Sequence, residues 1–494
     1  MDAASQGGSA RRLHQRLDTI AGGGLLFLAV FAPWGAGGTL PWARSLLVAS
    51  GWMLGLLTIS KHGLERFAGF RPRRWRREPR SRWPGYLMMG TGALLLLQIA
   101  VSLWNWRAEV VLTSSGAEFN YRDAIPWLPS TYDRTATTSA LIRLVGFAGV
   151  FWAMRDWLLI RPEDHHRRSA SDGPRPVSSR VQTMIWVISI NAALMGMIGM
   201  LQRLDHSQHL LWLIELPESR SETFFGSFPY RGNAAQYLNL IWPVGLGLWW
   251  DLRSHGQTGH NGLRRGESPH PLLLLTSAIA LTAAMMAGSR AGIGVALGLT
   301  VIGVVGLGAR MRGMGSRWML ALTFIAALGT SWFLAGDLMR KRFENVLDDQ
   351  TLSGRTQIYE VAHKMVADFP VWGTGADSFM NVSFLYRKNA VSEWPGYVHD
   401  DWLETRVTLG WIGFALTLCL LGSTILSKAL SGAVPLGAGT VRLTGMGLLG
   451  VLAHAAIDFP FQIPSIQVTF LLLLALFSVS GPSSRPSCPD TAGA

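Results

Sequence analysis

The sequence has little charge and almost no cysteine. Only 15% of its 494 residues are charged, against about 25% in an ordinary globular chain, and this shortage argues against a string of soluble domains. The two cysteines are Cys419, inside an apolar run, and Cys488, in the C-terminal tail. Because these two positions cannot face each other, neither a disulfide nor a cysteine metal site is expected.

Long apolar runs take the place of the missing charge. A helix needs about 20 mainly apolar residues to cross the hydrocarbon core of a membrane, and twelve runs meet this requirement. They are residues 18–34, 42–60, 84–104, 137–155, 181–201, 234–250, 271–289, 291–309, 317–335, 402–425, 441–457 and 463–481. The predicted fold is therefore all-α, a polytopic membrane bundle of about twelve transmembrane helices. A cleaved signal peptide is the alternative for the first run, but the eleven runs that follow favour an uncleaved helix.

The net charge of +13, from 44 Lys and Arg against 31 Asp and Glu, is spread unevenly between the predicted loops. With the N-terminus in the cytoplasm, most of the cations fall in cytoplasmic segments, as the positive-inside rule requires. The densest run, Arg71–Arg82, is expected to meet anionic lipid headgroups. The sequence thus predicts contact with membrane lipid and no nucleic-acid partner.

Three predicted external segments are long, at residues 105–136, 202–233 and 336–401. The last contains apolar residues at helical spacing, which predict an amphipathic helix over 354–369. This helix would lie on the membrane surface or cap the bundle. We predict three parts: N-terminal helices with basic cytoplasmic loops (1–180), a second transmembrane domain that includes loop 336–401 (181–481), and a cytoplasmic tail (482–494).

Ionisable residues gather near the external ends of the predicted spans. Inside a span such a group costs about 2.5–3.5 kcal/mol on insertion scales, so each is a candidate functional residue. The set consists of Arg143, Arg231, Arg290, Arg355, His399, Asp400, Arg406, His454 and Asp458. Arginine binds phosphate oxygens bidentately and stays cationic, so the set suits a polyanion such as a diphosphate with a lipid tail. The alternative is structural ion pairs, for example Arg143 with an aspartate or Arg406 with Glu404.

Several short motifs follow one another in the second half of the chain. They are Phe225–Leu238 around Arg231, Gly288-Ser-Arg-Ala-Gly292, Gly354–Tyr359 followed by Phe369–Gly375, His399–Gly413, and His454-Ala-Ala-Ile-Asp458-Phe-Pro. In this order they resemble signatures of the O-antigen ligase family, which includes O-antigen and exopolysaccharide polymerases. The resemblance covers residues 185–480 and carries Arg231, Arg290, Arg355 and His399 over from the family.

The sequence departs from the family pattern at four positions. Tyr230, Gly232 and Asn233 stand where the family has Asn, Asn and His, and Asp400 replaces a usual Asn. The role of that amide in the family therefore cannot be transferred to Asp400.

The resemblance implies a glycosyltransferase with a GT-C type membrane fold in the bacterial inner membrane. It would move a glycan from undecaprenyl diphosphate to an acceptor hydroxyl at the periplasmic face, with loop 336–401 periplasmic, in an inverting reaction without metal or cofactor. The acceptor would be a lipid A core, a glycan on its lipid carrier, or a protein hydroxyl. Because the acceptor is not fixed, the enzyme could be a ligase or a polymerase. Its product would belong to lipopolysaccharide or exopolysaccharide biosynthesis.

In such an enzyme Arg290 and Arg355 would stabilise charge on the leaving diphosphate, with Arg231 at the pocket wall. His399 would be the general base, a phosphate or acceptor contact, or a structural helix cap. Asp400 would orient His399, or its negative charge would interact favourably with the positive N-terminal end of a helix. The remaining candidates, Arg143, Arg406, His454 and Asp458, would bind substrate.

Two rivals come from other classes. One is a metal-dependent GT-C glycosyltransferase with a cation held by Asp400, Glu404 and Asp458. The other is a twelve-span transporter or flippase of an anionic lipid-linked substrate, although the sequence lacks the internal repeat that such folds are expected to show. If purified protein in detergent transfers glycan and continues to do so in EDTA, both the metal-dependent enzyme and the transporter are excluded.

Overall fold

The computed structural model describes residues 3–75, 83–113, 116–161, 177–215, 223–256, 270–308, 314–344, 350–387, 396–431 and 433–482. Much of the predicted basic run Arg71–Arg82 and of the basic connections after residues 161 and 256 lies outside these residues. The predicted C-terminal tail lies outside them almost entirely.

Helices dominate the described part of the chain, and one lies over each of the twelve apolar runs. They are α1 Ala3–Trp34, α2 Pro41–Phe67, α3 Trp83–Trp104, α4 Arg134–Leu159, α5 Ser179–Leu204, α6 Arg231–Gly256, α7 His270–Met286, α8 Arg290–Gly308, α9 Met314–Glu344, α10 Gln350–Asp368, α11 Phe379–Val382, α12 Asp401–Ser431, α13 Ala438–His454 and α14 Pro464–Val479. Among the described residues, seven helices are long and apolar enough to cross a membrane. The all-α membrane bundle is confirmed, and the count of twelve spans stays a prediction.

Short strands occur in the connections between helices and after the last helix. An antiparallel hairpin joins β1 Ala108–Thr113 to β2 Gly116–Tyr121, and a smaller one joins β3 His209–Leu210 to β4 Ile214–Glu215. A parallel pair, β5 Val434–Leu436 with β6 Ser480–Pro482, links the ends of α12 and α14. These pairs are too short to form a separate layer.

The centre of the bundle is α6, whose Tyr237, Trp242 and Trp249 are almost fully buried. Helices from both halves of the chain surround it and share one hydrophobic core, with α3 packed on α12 and α4 on α14. Helices α2 and α4 approach especially closely, because a Cβ on Gly51 would lie 2.3 Å from the carbonyl oxygen of Gly146. Small residues permit such backbone contact between membrane helices.

A buried ion cluster holds one end of α1, α2 and α4 together. The Lys61 ammonium, whose side chain is 1% exposed, lies 2.6 Å from carboxylate oxygens of both Asp18 and Asp156. Arg74 adds contacts of 2.7 Å to Asp156 and 2.8 Å to Glu65, which tie the segment after α2 to the bundle. Buried charges are tolerated only when paired in this way.

The amphipathic helix predicted over 354–369 is present as α10, which begins earlier, at Gln350. Its buried residues Ile358, Ala362 and Met365 pack with Phe379 of α11 and Val407 of α12. Helix α10 therefore packs on the bundle, and its position relative to the membrane surface stays a prediction. The preceding helix α9 runs to Glu344, so the first part of the predicted loop 336–401 is helical.

Candidate active site

The polar part of a large cleft lies at the end of the bundle opposite the Lys61 cluster, and its apolar part extends along α2 to Ser60. Its volume is about 1740 Å³, and its walls come from α2, α4, the segment 223–233, residues 377–381, the segment 396–404 and residues 459–463. These stretches are far apart in sequence. Two of the predicted site residues, Arg143 and His399, line the cleft, and Tyr230 and Phe459 line it next to Arg231 and Asp458.

Phe459 forms the middle of the cleft floor. Its ring is stacked on Tyr230 at a centroid distance of 5.6 Å and lies 4.9 Å from the ring of Tyr397. The imidazole of His399 meets it edge-on at 4.7 Å. Such offset and edge-to-face contacts are favourable for aromatic rings, so Phe459 holds Tyr230, Tyr397 and His399 in one aromatic group.

His399 is oriented by two hydrogen-bonding contacts and by its backbone conformation. Its Nδ1 lies 3.2 Å from Oδ1 of Asp458, and its carbonyl oxygen accepts a hydrogen bond of 3.2 Å from the Tyr359 hydroxyl. Its backbone φ is +60°, a left-handed conformation that is uncommon for residues other than glycine and concentrates at functional sites. Because a carboxylate only accepts hydrogen bonds, Nδ1 of His399 is the donor in its contact with Asp458.

Tyr230 connects Asp458 to two arginines. Its hydroxyl is hydrogen-bonded to Arg355, and the charges of Arg231 and Asp458 both act on it. Burial, together with the Asp458 carboxylate, raises the pKa of Tyr230 to about 12, so the phenol stays protonated and can donate. Arg355 also donates from Nη1 to the carbonyl oxygen of Ile457 over 3.2 Å, which joins α10 to the end of α13.

Gly232 leaves the space that Tyr230 and Asp458 occupy. A Cβ at this position would lie 2.4 Å from a ring carbon of Tyr230 and 2.9 Å from Oδ2 of Asp458. The departure from the family pattern at Gly232 therefore has a physical reason. A larger residue would displace the carboxylate that contacts His399.

Replacing Gly232 with alanine is expected to destabilise the protein by about 1–3 kcal/mol, the usual cost of overpacking. The matched control is Gly294→Ala in α8, where a Cβ meets nothing within 4 Å. Thermal unfolding of the two purified variants in detergent measures the difference. Equal midpoints for both variants would show that the Gly232 contact is not tight.

Arg290 is the first residue of α8, in the turn that follows α7. The Ser289 hydroxyl accepts from the Gly292 amide at 3.2 Å, and the Gly292 carbonyl accepts from Asn239 at 2.9 Å. This turn packs against the first two turns of α6, so Arg290 lies at the same end of the bundle as Arg231. It is outside the set of described residues that line the cleft.

The other predicted site residues occupy different places. Arg143 lines the cleft and pairs with Asp377, with 2.7 Å from Nη2 to Oδ2. Asp400 accepts a 2.9 Å hydrogen bond from the Leu403 amide and so caps α12. Arg406 is not brought to the cleft; its guanidinium lies over the ring of Trp411, 5.3 Å from the centroid.

His454 is fully buried at the end of α13. In the described part of the chain neither of its ring nitrogens has a hydrogen-bond partner. It lies four residues before Asp458 and close enough for the Asp458 charge to act on it. The structure therefore places His454 behind the cleft floor.

Sequence reasoning missed three side chains that line the cleft: Arg44, Asp377 and Tyr397. Arg44 lies at the start of the predicted span 42–60, so the same signal that marked Arg143 could have found it, whereas Asp377 and Tyr397 stand in segments without a helical pattern. Glu404, considered as an ion-pair partner or metal ligand, is 4% exposed and accepts from the Val398 amide at 2.9 Å. Its position one turn into a predicted span was the signal that could have marked it.

The carboxylates of the metal-site rival do not converge. Asp400 binds the Leu403 amide, Glu404 the Val398 amide and Asp458 the His399 ring. Among the described residues, no group of three or more His, Cys, Asp or Glu side chains is placed to hold a metal ion.

Apolar helices packed around a polar cleft are typical of a multi-pass membrane protein. Residues 275–418 match the family model for O-antigen ligase. This match covers under a third of the chain and supports the resemblance to the family that the motifs predict. The matched segment contains Arg290, Arg355 and His399. The comparison with curated proteins gave no match.

Proposed function

We propose that the protein transfers a glycan from undecaprenyl diphosphate to an acceptor hydroxyl at the periplasmic face of the bacterial inner membrane, with its N-terminus in the cytoplasm. The observation that carries the proposal is the position of His399, paired with Asp458 and lining the same cleft as Tyr230, which Arg355 contacts. A base and a cation on one cleft are what an acceptor hydroxyl and a diphosphate leaving group require.

The reaction forms one bond and breaks one. The acceptor oxygen attacks the anomeric carbon of the donor, and the bond from that carbon to the diphosphate oxygen breaks, which inverts the configuration. Nε2 of His399 takes the hydroxyl proton, while Asp458 holds the imidazole through Nδ1 and stabilises the imidazolium that forms. The electron pair leaves with the diphosphate.

The leaving diphosphate gains negative charge in the transition state. Arg355 and Arg290 stabilise this charge, and Arg231 and the protonated Tyr230 hydroxyl complete the wall on that side. Donors that are already in place act most effectively where water is excluded. Asp400 caps the first turn of α12 and contributes only by stabilising that helix. His454 is buried near Asp458 and supports the position of its carboxylate.

The test is a transfer assay with purified protein in detergent, where no gradient can drive transport. We expect a donor of undecaprenyl-diphosphate-linked glycan to yield glycosylated acceptor and free undecaprenyl diphosphate, at the same rate with and without EDTA. Loss of transfer in EDTA would indicate the metal-dependent rival. Binding of the donor without turnover, with movement of the donor across liposomes, would indicate a flippase.

A further inference from the structure

The first residue of α12, Asp401, joins the two segments that carry His399 and Asp458. Only Asp400 separates it from His399 in the sequence. Asp458 lies in residues 455–462 of the connection between α13 and α14, which we call the Asp458 turn. Asp401 is 3% exposed, and the reaction proposed above does not use it.

Asp401 contacts the Asp458 turn on both sides of Asp458. Its backbone amide donates a 2.8 Å hydrogen bond to the carbonyl oxygen of Ala455, which precedes Asp458. Its Oδ2 accepts a 2.7 Å hydrogen bond from the backbone amide of Phe461, which follows Asp458. Its Oδ1 accepts from the side-chain amide of Gln462 at 3.1 Å. Asp401 therefore holds the turn at both of its ends.

The segment before His399 is held by the same helix. The backbone amide of Val398 donates to Oε2 of Glu404 at 2.9 Å, one turn of α12 after Asp401. His399 follows Val398 with a backbone φ of +60°. The first turn of α12 thus fixes both segments whose side chains meet in the contact between His399 and Asp458.

The side-chain contacts of Asp401 are hydrogen bonds from uncharged donors. A buried carboxylate is unfavourable unless it is hydrogen-bonded, and the Phe461 and Gln462 amides meet this requirement. An asparagine at position 401 can accept from Phe461 and, with the Gln462 amide rotated, donate to the Gln462 oxygen. The connection therefore depends on hydrogen bonding and does not need the negative charge.

We propose that Asp401 is a positioning residue for glycan transfer, an inference that rests on the proposed function. Asp401 is outside the set of described residues that line the cleft, so it acts through the Asp458 turn and not on the substrate. It sets the distance between His399 and Asp458 and keeps the imidazole oriented for proton transfer. A misplacement of about 1 Å can lower a rate by about 10²-fold.

The first test is steady-state transfer by the purified Asp401→Ala variant in detergent. The donor is undecaprenyl-diphosphate-linked glycan, and the acceptor is a second molecule of it or lipid A with its core oligosaccharide, whichever the wild-type protein uses. We expect kcat to fall about tenfold or more and the donor KM to change less than about twofold. Asp401→Asn should keep kcat within about threefold of wild type, because asparagine can remake both contacts. Equal losses for the two variants would overturn the proposal.

The matched control is Asp251→Ala, near the other end of α6. Asp251 is also 3% exposed, and its carboxylate accepts from the backbone amides of Gly439 at 2.9 Å and Thr440 at 2.7 Å. Both alanine variants leave two donors without their acceptor, so both should lower the midpoint of thermal unfolding. Only Asp401→Ala should lower kcat. The same kcat for both variants would show that Asp401 serves stability alone.

A double-mutant cycle tests whether Asp401 acts through Asp458. Asp401→Ala added to Asp458→Asn should lower kcat by less than about threefold further, because residues of one hydrogen-bond network are not additive. The full loss in that background would contradict the proposal. If Asp401→Ala does not fold, Gln462→Met replaces it in the cycle. That variant removes one donor and should lower kcat in the wild-type background but not in Asp458→Asn.

A spectroscopic measurement tests the positioning without turnover. The Nδ1 proton of His399, hydrogen-bonded to a carboxylate, should give a downfield proton resonance in histidine-labelled protein, assigned by its absence in His399→Ala. It should persist in Asp251→Ala and be lost in Asp401→Ala. An unchanged resonance in Asp401→Ala would refute the positioning role even if the protein transfers glycan. If the resonance behaves as expected but the wild-type protein transfers no glycan, only the proposed function is wrong.

Discussion

Replacing His399 with alanine is expected to lower the rate of glycan transfer by about 10²–10⁴-fold, the usual contribution of a general base. The reason is that Nε2 is held ready to accept a proton by the contact between Nδ1 and Asp458. The KM for the donor should change little, because the arginines that face the diphosphate remain. The measurement is the initial rate of undecaprenyl diphosphate release by the purified variant.

The control for this variant is His363→Ala, an exposed histidine on α10, which should transfer at the wild-type rate. A second variant, Asp458→Asn, tests whether the contact between residue 458 and Nδ1 of His399 is needed for transfer. An asparagine amide can donate to Nδ1 and so favours the tautomer with a proton on Nε2, which cannot act as base. A loss comparable with that of His399→Ala is therefore expected. A rate within threefold of wild type for His399→Ala would remove the base assignment.

The second large effect is expected at Arg355. Its replacement by alanine should lower kcat by about 10²–10³-fold, the typical loss when one donor to a developing charge is removed. The variant also removes the partner of the Tyr230 hydroxyl and the contact with the Ile457 carbonyl. The readouts are kcat and the donor KM in the same assay.

Arg355→Lys separates charge from geometry, because lysine keeps the positive charge without the planar fork of arginine. We expect it to recover only part of the lost rate. Lys364→Ala, on an exposed position of the same helix, is the matched control and should leave kcat unchanged. An Arg355→Ala variant within fivefold of wild-type kcat would show that the diphosphate is stabilised elsewhere.

The sequence predicted the helices well because hydrophobic length is a local property. Each of the twelve apolar runs carries a helix, and the spacing of Ile358, Ala362 and Met365 correctly identified the buried face of α10. The start of α10 was placed at Gly354, a residue that disfavours helix interiors. The structure continues the helix back to Gln350, since intrinsic propensity is weak beside tertiary context.

Part of the candidate site was also predictable. A charge in or next to an apolar run is rare enough to attract notice, and this signal marked Arg143 and His399, which line the cleft, and Asp458, which contacts His399. It also selected Arg406, which the structure places over Trp411 and away from the cleft. A charged residue in an apolar run is unusual, but the sequence does not show in which direction its side chain points.

By itself, the sequence determined the membrane class and the helical fold, because both depend on composition and on the length of apolar runs, and short contiguous motifs predicted the resemblance to the O-antigen ligase family. Only the tertiary structure decided which residues meet. His399 and Asp458 are 59 residues apart, and Arg143 and Asp377 are 234 apart. Contacts over such separations are set by how helices pack, so no local pattern records them.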